Sequence, residues 1–318
     1  MAIFVLYNYQ FAKIEEPIEK NLFGESSVEM DAETAFPQKQ ELLGKLLMDD
    51  YSGKRPIRFV GSRGGEYHHQ HVIRPTDDIT VMHISRRRTQ TLTNINFQKR
   101  REEDYPYCTV IIDNRPGIQR IAIQNGTKAF PEVKTLQNIL ETTLNGQTAL
   151  RRYSLSLSLA HLQNASKFWE YAKDTRNYAA GFHKVTFHLP YINLERLKKA
   201  HQSFLQESRA SFDSKLDIEL TAPEGGAGRV RLDEKDMFQK GLVDYLMEEV
   251  GGENIKMYPN SNKTRPIIVG ARSYRVIVIP DKTIEDLAKD VKEGNMFGSP
   301  ALEKVKQETK KFIDPDVA

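Results

Sequence analysis

Residues 109–123 have the sequence TVIIDNRPGIQRIAI, and this segment predicts a β-hairpin. Its first part, Val110–Ile112, is a continuous apolar run, whereas the isoleucines of residues 118–123 are separated by polar residues. The intervening DNRPG is a strong turn signal, because Pro and Gly favour the backbone angles of tight turns. We therefore predict two antiparallel strands joined at residues 113–117, with the first strand more buried than the second.

Further helices and strands are predicted on both sides of this hairpin. Phe130-Pro131 is predicted to open a helix, residues 133–144 carry apolar side chains at helical spacing, and Asn145-Gly146 follows them as a stop signal. Residues 153–159, YSLSLSL, alternate strictly between polar and apolar, which is typical of a half-buried strand. Short strands mixed with separate helices predict an α+β protein with mixed or antiparallel sheets.

The second half of the chain has a more regular order of elements. The predicted elements are Lys184–Leu189, Leu194–Gln206, Leu216–Leu220, Arg229–Leu232, Glu234–Val250 and Asn254–Tyr258. This β-α-β-β-α-β order is that of ferredoxin-like domains, and Arg265–Gly270 with Tyr274–Ile279 predicts an added hairpin. We thus predict an α+β domain over 1–181, a ferredoxin-like domain over 182–280 and a charged helical tail over 281–318.

Composition excludes several classes of function. The 318 residues carry a formal net charge of +3 and one cysteine, Cys108. A single cysteine excludes an internal disulfide framework, a four-cysteine zinc ribbon and an iron–sulfur cluster. No apolar run approaches the roughly 20 residues that span a bilayer, and the short apolar start lacks the basic leader of a signal peptide. We expect a cytoplasmic protein with no cofactor and no membrane partner.

The positive charge is concentrated in one segment. Residues 54–101 contain eleven Lys and Arg against three acids, a local +8 that leaves −5 for the rest of the chain. Arginine forks onto phosphate oxygens, and the Thr, Asn and Gln side chains between the cations add hydrogen-bond donors. The candidate phosphate-binding residues are Arg63, Arg86, Arg87, Arg88, Lys99, Arg100 and Arg101. The alternatives are an acidic partner protein, or a solvated surface loop whose arginines pair with Glu102, Glu103 and Asp104.

The adjoining segment Gly61–His71, GSRGGEYHHQH, combines three glycines with three histidines. Glycine turns can direct backbone N–H groups toward an anion, although no Walker ending is present. On a strand, His69 and His71 share one face, so a metal site needs a further ligand, with His83 or Glu66 as options. Asp113 at the end of a predicted buried strand is the acid best placed for chemistry, although turn formation explains it more simply. We predict no metal site. If the chain did bind a metal, the candidate ligands would be His69, His71 and Asp113.

No sequence motif identifies a catalytic residue. The chain has no Gly-x-Ser-x-Gly elbow and no convincing nuclease carboxylate pattern. We predict a nucleic-acid-binding protein, for DNA or RNA, that is not an enzyme. One alternative is a metal-dependent nuclease or nucleotide-processing enzyme that uses the Gly61–His71 loop and Asp113. Another is an interaction subunit with a protein partner or a second copy of itself.

The general texture is that of a two-part α+β chain without the motif of a standard housekeeping enzyme. In this texture the chain resembles proteins of phage-defence and mobile-element gene clusters. The resemblance implies a role as a component of a bacterial defence system.

Overall fold

The computed structural model describes residues 1–14, 28–93, 95–189, 216–223, 228–247, 255–261, 265–269, 274–296 and 298–312. The chain forms two compact units. Unit 1 comprises Met1–Leu159 and Val276–Ala318, and unit 2 comprises Ala160–Arg275. The predicted domains 1–181, 182–280 and 281–318 divide the chain differently, because residues 160–181 belong to the second unit and the C-terminal helices to the first.

Helices and antiparallel sheets make this an α+β protein, as predicted. The helices are α1 (Ala32–Ala35), α2 (Lys39–Tyr51), α3 (Val133–Leu144), α4 (Ser166–Lys173), α5 (Met237–Tyr245), α6 (Asp281–Lys292) and α7 (Pro300–Lys310). The strands are β1 (Ala2–Lys13), β2 (Phe59–Val60), β3 (Glu66–His71), β4 (Ile79–Ser85), β5 (Arg88–Thr93), β6 (Lys99–Asp104), β7 (Tyr107–Asp113), β8 (Arg120–Gln124), β9 (Leu155–His161), β10 (Phe182–Leu189), β11 (Leu216–Thr221), β12 (Ile255–Pro259), β13 (Ile267–Ile268) and β14 (Val276–Ile279). Among the described helices, none has the length and apolar character needed to cross a membrane.

An eight-stranded sheet forms the centre of unit 1. Its order is β14-β1-β8-β7-β4-β3-β2, and β9 also pairs with β1. The predicted hairpin is confirmed at its middle, where β7 and β8 are antiparallel with Ile112 opposite Ile121. The DNRPG turn joins these two strands, and Gly117 within it has a positive φ of 76°, which glycine adopts without strain.

Helices cover both faces of the central strands. Val5, Tyr7 and Tyr9 of β1 belong to the core that includes residues of α2 and α3. Helix α7 contacts β14 and β8, and Val305 of this helix is fully buried. This second helical layer buries β8 as completely as β7, so the predicted difference in burial between the two strands is wrong.

Helix α3, which begins at Val133 instead of the predicted Phe130-Pro131 and ends before Asn145-Gly146 as predicted, also binds the backbone of strand β9. The Asn145 side chain accepts a hydrogen bond from the Leu157 N–H at 2.6 Å and donates one to the Leu157 carbonyl at 2.7 Å. Glu141 Oε1 accepts from the Leu159 N–H at 2.7 Å. Side chains of the helix therefore satisfy backbone groups of β9 that a neighbouring strand would otherwise pair.

Unit 2 contains a four-stranded sheet of order β11-β10-β12-β13. Its core joins Phe168 and Trp169 of α4 to Phe187 of β10 and Met257 of β12. The ferredoxin-like arrangement is not confirmed: β10 lies between β11 and β12 and is antiparallel to both. The predicted helix Leu194–Gln206 lies outside the described residues, and the predicted strand Arg229–Leu232 does not form.

The added hairpin predicted for the end of this region is wrong. Strand β13 pairs with β12, with Ile267 opposite Met257. Strand β14 pairs instead with β1 in unit 1, with Val276 opposite Val5. The physical reason is burial, because Ile277 and Ile279 of β14 are almost completely excluded from solvent beside β1.

Candidate nucleic-acid interface and a histidine–aspartate cluster

The C-terminal part of the basic segment belongs to a β-hairpin that extends the ladder of strands β4 and β7. That ladder reaches Ser85 opposite Tyr107, and the pairing resumes with Arg88 opposite Asp104 in strands β5 and β6. We call residues 88–104 the arm. Each strand of the arm has six residues, which corresponds to a length of about 20 Å. The arm forms a two-stranded sheet of its own, and most of its side chains are exposed.

Alternation of side chains gives the arm two different faces. One face, which we call the threonine–cation face, carries Thr89, Thr91, Thr93, Lys99 and Arg101 together with Glu103. The other face carries Arg88, Gln90, Leu92, Arg100, Glu102 and Asp104. The second face has two cations and two acids, whereas positive charge predominates on the first.

Acidic residues neutralise part of the predicted basic set. Arg87 forms an ion pair with Glu103, which raises the pKa of Arg87, mainly through the hydrogen bond between them. Arg100 Nε lies 3.0 Å from Glu102 Oε1. The alternative that these arginines pair with nearby acids is therefore correct for Arg87 and Arg100. The prediction that they lie in a loop is wrong for Arg100, which belongs to strand β6, and Arg87 immediately precedes strand β5.

The remaining candidate cations of this region are arranged differently. Arg86, Lys99 and Arg101 are exposed and have no ion-pair partner in the described part of the chain. Arg88 is half-buried, with its Nη2 3.4 Å from the Ala129 carbonyl oxygen. Exposed cations that no neighbouring acid neutralises are the groups available to an anionic partner.

The tip of the arm exposes two large apolar side chains between polar residues. Ile95 is 93% exposed and Phe97 is 87% exposed, and Leu92 on the adjacent strand is 47% exposed. Phe97 has a left-handed φ of 60°, an uncommon conformation for a bulky residue. Large apolar side chains gathered at a projecting tip mark a contact site, since burying them would gain free energy.

Arg63 lies on a different hairpin from the other predicted cations. The turn 61–65 joins β2 to β3 and closes with hydrogen bonds from the Gly61 N–H to the Gly65 carbonyl and from the Gly64 N–H to the Gly61 carbonyl. These two N–H groups are used within the turn, which argues against the predicted glycine cradle for an anion. Arg63 itself is exposed.

Strand β3 brings His69 and His71 to one carboxylate. The Nε2 atoms of both imidazoles lie 2.7 Å from Oδ2 of Asp50, near the end of helix α2. The Asp50 side chain is 1% exposed, against 17% for His69 and 6% for His71. The predicted shared face is confirmed, since the ring of His68 points elsewhere and packs against Tyr105.

Asp50 has the electrostatics of a permanently ionised carboxylate. Burial by itself would raise its pKa, but hydrogen bonds from His69, His71 and the Ile57 N–H outweigh burial and hold the pKa far below its ordinary value. The Ile57 N–H donates to Oδ1 at 2.6 Å, so both carboxylate oxygens are engaged. The Nδ1 atom of His71 is buried with no hydrogen-bond partner in the described residues.

Asp50 is the residue of this cluster that the sequence interpretation missed. The further ligands considered were His83 and Glu66, but His83 contacts Thr109 and Tyr107, and Glu66 is exposed. One signal was available: Asp50 lies three and four residues after the buried Leu47 and Leu46, on the apolar side of the helix. An acid at a core-facing position needs a buried partner.

Asp113 has a structural environment rather than a place in the histidine cluster. Its Oδ1 accepts from Arg115 Nε at 2.9 Å, and its Oδ2 accepts from Arg115 Nη2 at 2.6 Å and from the Thr309 hydroxyl at 2.5 Å. Arg115 Nη2 also donates to the Lys306 carbonyl at 2.7 Å. Asp113 thus secures helix α7 to the β7–β8 turn and has no role as a metal ligand among these contacts.

Cys108, like Asp113, lies in a buried structural environment. The thiol is buried in strand β7, and burial raises its pKa to about 12. Burial therefore favours the protonated thiol at neutral pH, which argues against a nucleophilic role for Cys108.

Comparison with known proteins adds no family assignment. No protein-family model matches the chain, and no curated protein matches it.

Proposed function

We propose that this protein binds nucleic acid, that duplex DNA is its preferred ligand, and that the arm contacts the duplex. The observation that carries the proposal is the threonine–cation face. On this face Lys99 and Arg101 have no ion-pair partner among the described residues, and they lie beside three exposed threonines. Phosphate oxygens take most of their protein contacts from Lys, Arg, Ser and Thr side chains.

The shape of the arm supports duplex DNA over duplex RNA. A two-stranded β-ribbon fits the major groove of B-form DNA, which is about 12 Å wide. The major groove of an A-form RNA helix is deep and narrow, so side chains do not reach its bases. An arm about 20 Å long, with a net positive charge on its threonine–cation face, is suited to follow such a groove.

The apolar tip supports the same ligand. In the major groove, apolar side chains such as Phe contact the methyl group of thymine. In the proposed complex Ile95 and Phe97 lie against bases, while Lys99 and Arg101 contact the adjacent phosphates. Exclusion of these two large side chains from water adds a favourable contribution that does not depend on salt.

The proposed activity is binding without catalysis. The nuclease alternative relied on Asp113 beside the Gly61–His71 loop, and the contacts of Asp113 with Arg115 and Thr309 speak against that role. The proposal keeps the cytoplasmic location expected from the composition, where bacterial nucleic acid is found.

The experiment is a salt titration of DNA affinity by fluorescence anisotropy with a labelled duplex. The wild type is compared with the Lys99→Ser/Arg101→Ser variant and with Lys282→Ser/Lys292→Ser, which removes two exposed cations of helix α6. Each lost phosphate contact lowers the slope of log affinity against log salt by about 0.9. We expect the arm variant to lose about 1.8 from the slope and the control variant to keep the wild-type slope.

Two results would contradict the proposal. One is the absence of binding to duplex DNA at low salt by correctly folded protein. The other is an equal loss of slope in the arm variant and in the helix α6 variant, which would show a diffuse charge effect. A Phe97→Ser variant, which keeps every charge, tests the tip: weaker binding with an unchanged salt slope is expected.

A further inference from the structure

Three potential metal ligands converge in unit 1, at a place separate from the arm. Asp50 Oδ2, His69 Nε2 and His71 Nε2 all lie within 4.8 Å of one another. In the described part of the chain, no other group of three or more His, Cys, Asp or Glu side chains shows this arrangement. The ligands come from two elements, a helix end and a strand, and each side chain is mostly or fully buried.

The Asp50 carboxylate presents one oxygen atom to both imidazoles. Each carboxylate oxygen has about two lone-pair positions, so Oδ2 can accept from both rings or act with them as a ligand of one ion. Here both Nε2 atoms approach Oδ2, while Oδ1 is held by the Ile57 N–H at 2.6 Å. That backbone contact fixes the carboxylate so that one oxygen faces both rings, as the outer-shell partner of a metal ligand does.

An ion could take the place of the proton that His71 shares with Asp50. Without an ion, the contact with the Asp50 carboxylate places the proton of His71 on Nε2, and no described group bonds to the buried Nδ1, which is therefore available to carry the proton instead. Nε2 can therefore donate a proton to Asp50, or present a lone pair to an ion with the proton on Nδ1.

The spacing of the donors is close to that of a metal-bound set. Zinc–nitrogen and zinc–oxygen bonds of about 2.0–2.1 Å place tetrahedral donor atoms about 3.3 Å apart. The present separations from Asp50 Oδ2 to the two imidazoles are 2.7 Å. Each of these two donor pairs needs to open by about 0.6 Å, a change within reach of small rotations of the imidazole side chains.

From this geometry we propose that Asp50, His69 and His71 bind one divalent transition-metal ion of the zinc class. Two imidazoles and a carboxylate are ligands that suit such an ion. Three protein donors leave a fourth position for water or an exogenous ligand, which is the composition of reactive rather than purely structural zinc sites. The rings of Phe59, at 4.5 Å from His69, and Tyr51, at 5.7 Å from His71, form an aromatic shell around the imidazoles.

The experiment is zinc titration of the full chain, stripped with a chelator, by isothermal calorimetry. The variants are His69→Gln, His71→Gln and Asp50→Asn, which preserve side-chain size. The matched control is His68→Gln, because His68 lies on the same strand and faces away from the cluster. We expect one zinc ion per wild-type chain and a loss of affinity of about 100-fold or more in each cluster variant, since even outer-shell partners contribute about 10–100-fold.

A second measurement keeps the test decisive where a cluster variant folds poorly. The visible absorption of bound Co²⁺ reports the ligand set directly in the wild type, and His68→Gln should give the same spectrum. Stoichiometric zinc binding that survives in folded His69→Gln would overturn the proposal, because it would place the ion elsewhere. A wild-type chain that binds neither zinc nor cobalt at a one-to-one ratio would overturn it as well.

Discussion

Asp113→Ala tests whether the buried ion pair at the β7–β8 turn secures the C-terminal helix. The Asp113 side chain is fully buried and accepts two hydrogen bonds from the Arg115 guanidinium and one from the Thr309 hydroxyl. Truncation leaves Arg115, whose side chain is 23% exposed, with only its contact to the Lys306 carbonyl. Removing one partner of a buried pair costs about 3–5 kcal/mol, because Arg115 and the Thr309 hydroxyl both lose the buried carboxylate that they contact.

Two natural probes report the two units separately. Cys108 lies in β7, in unit 1, and reacts with an alkylating reagent only when the strand opens. Trp169 is the single tryptophan of the chain and is buried in unit 2. Urea titrations that follow Cys108 alkylation and Trp169 fluorescence in the same samples therefore locate the effect of a substitution.

The expected shift follows from the energy and the urea dependence. With an m-value of about 2 kcal/mol per molar urea, a loss of 3–5 kcal/mol lowers the Cys108 midpoint by about 1.5–2.5 M. Asp113→Asn keeps an acceptor for Thr309 and should give a smaller shift. The control is Glu285→Ala, an exposed acid on helix α6, which should change stability by less than about 0.5 kcal/mol. A shift for Asp113→Ala no larger than that of the control would refute the reasoning.

Three further predictions concern unit 1. Cys108 should resist alkylation at pH 8 in the native protein and react fully in denaturant, because burial raises its pKa to about 12; rapid native labelling would contradict this. Burial lowers the pKa of His83 below its ordinary value of 6.5, so the folded state binds fewer protons than the unfolded state. The stability that depends on neutral His83 is therefore complete above about pH 6.5 and is lost as the pH falls. Chemical denaturation at several pH values should show a smaller loss of stability in acid for His83→Gln than for the wild type. Asn145→Ala should lower the free energy of unfolding by about 2 kcal/mol, because it leaves two backbone groups of Leu157 unpaired. Thr142→Ala, at an exposed position of the same helix, should have little effect. Equal unfolding midpoints for Asn145→Ala and the wild type would show that water replaces the side chain.

Local patterns were sufficient to predict much of unit 1. The DNRPG turn predicted the β7–β8 hairpin because its Pro and Gly act on neighbouring residues alone. The apolar spacing in α3 and the alternation in β9 predicted these elements for the same reason, since each pattern shows which side of one element is buried.

Long-range partners were beyond such patterns. Strand β14 has the alternation of an ordinary strand, and nothing in four residues specifies that β1, at the opposite end of the sequence, is its neighbour. The arm was missed as a hairpin because both of its faces are polar, so its strands show no apolar period. Part of the candidate site was accessible, namely the shared face of His69 and His71, but the sequence gives no distance from either ring to Asp50.

The position of β14 and the last two helices has a consequence for biosynthesis. Residues of unit 2 are contiguous in sequence, whereas unit 1 needs strands from before and after them. During translation, which proceeds from the N-terminus, unit 2 leaves the ribosome in full before β1 can meet β14. Strand β1 therefore waits with one edge incompletely paired, and a chain released early, before Val276, would carry that incompletely paired edge into the cell as a site for aggregation.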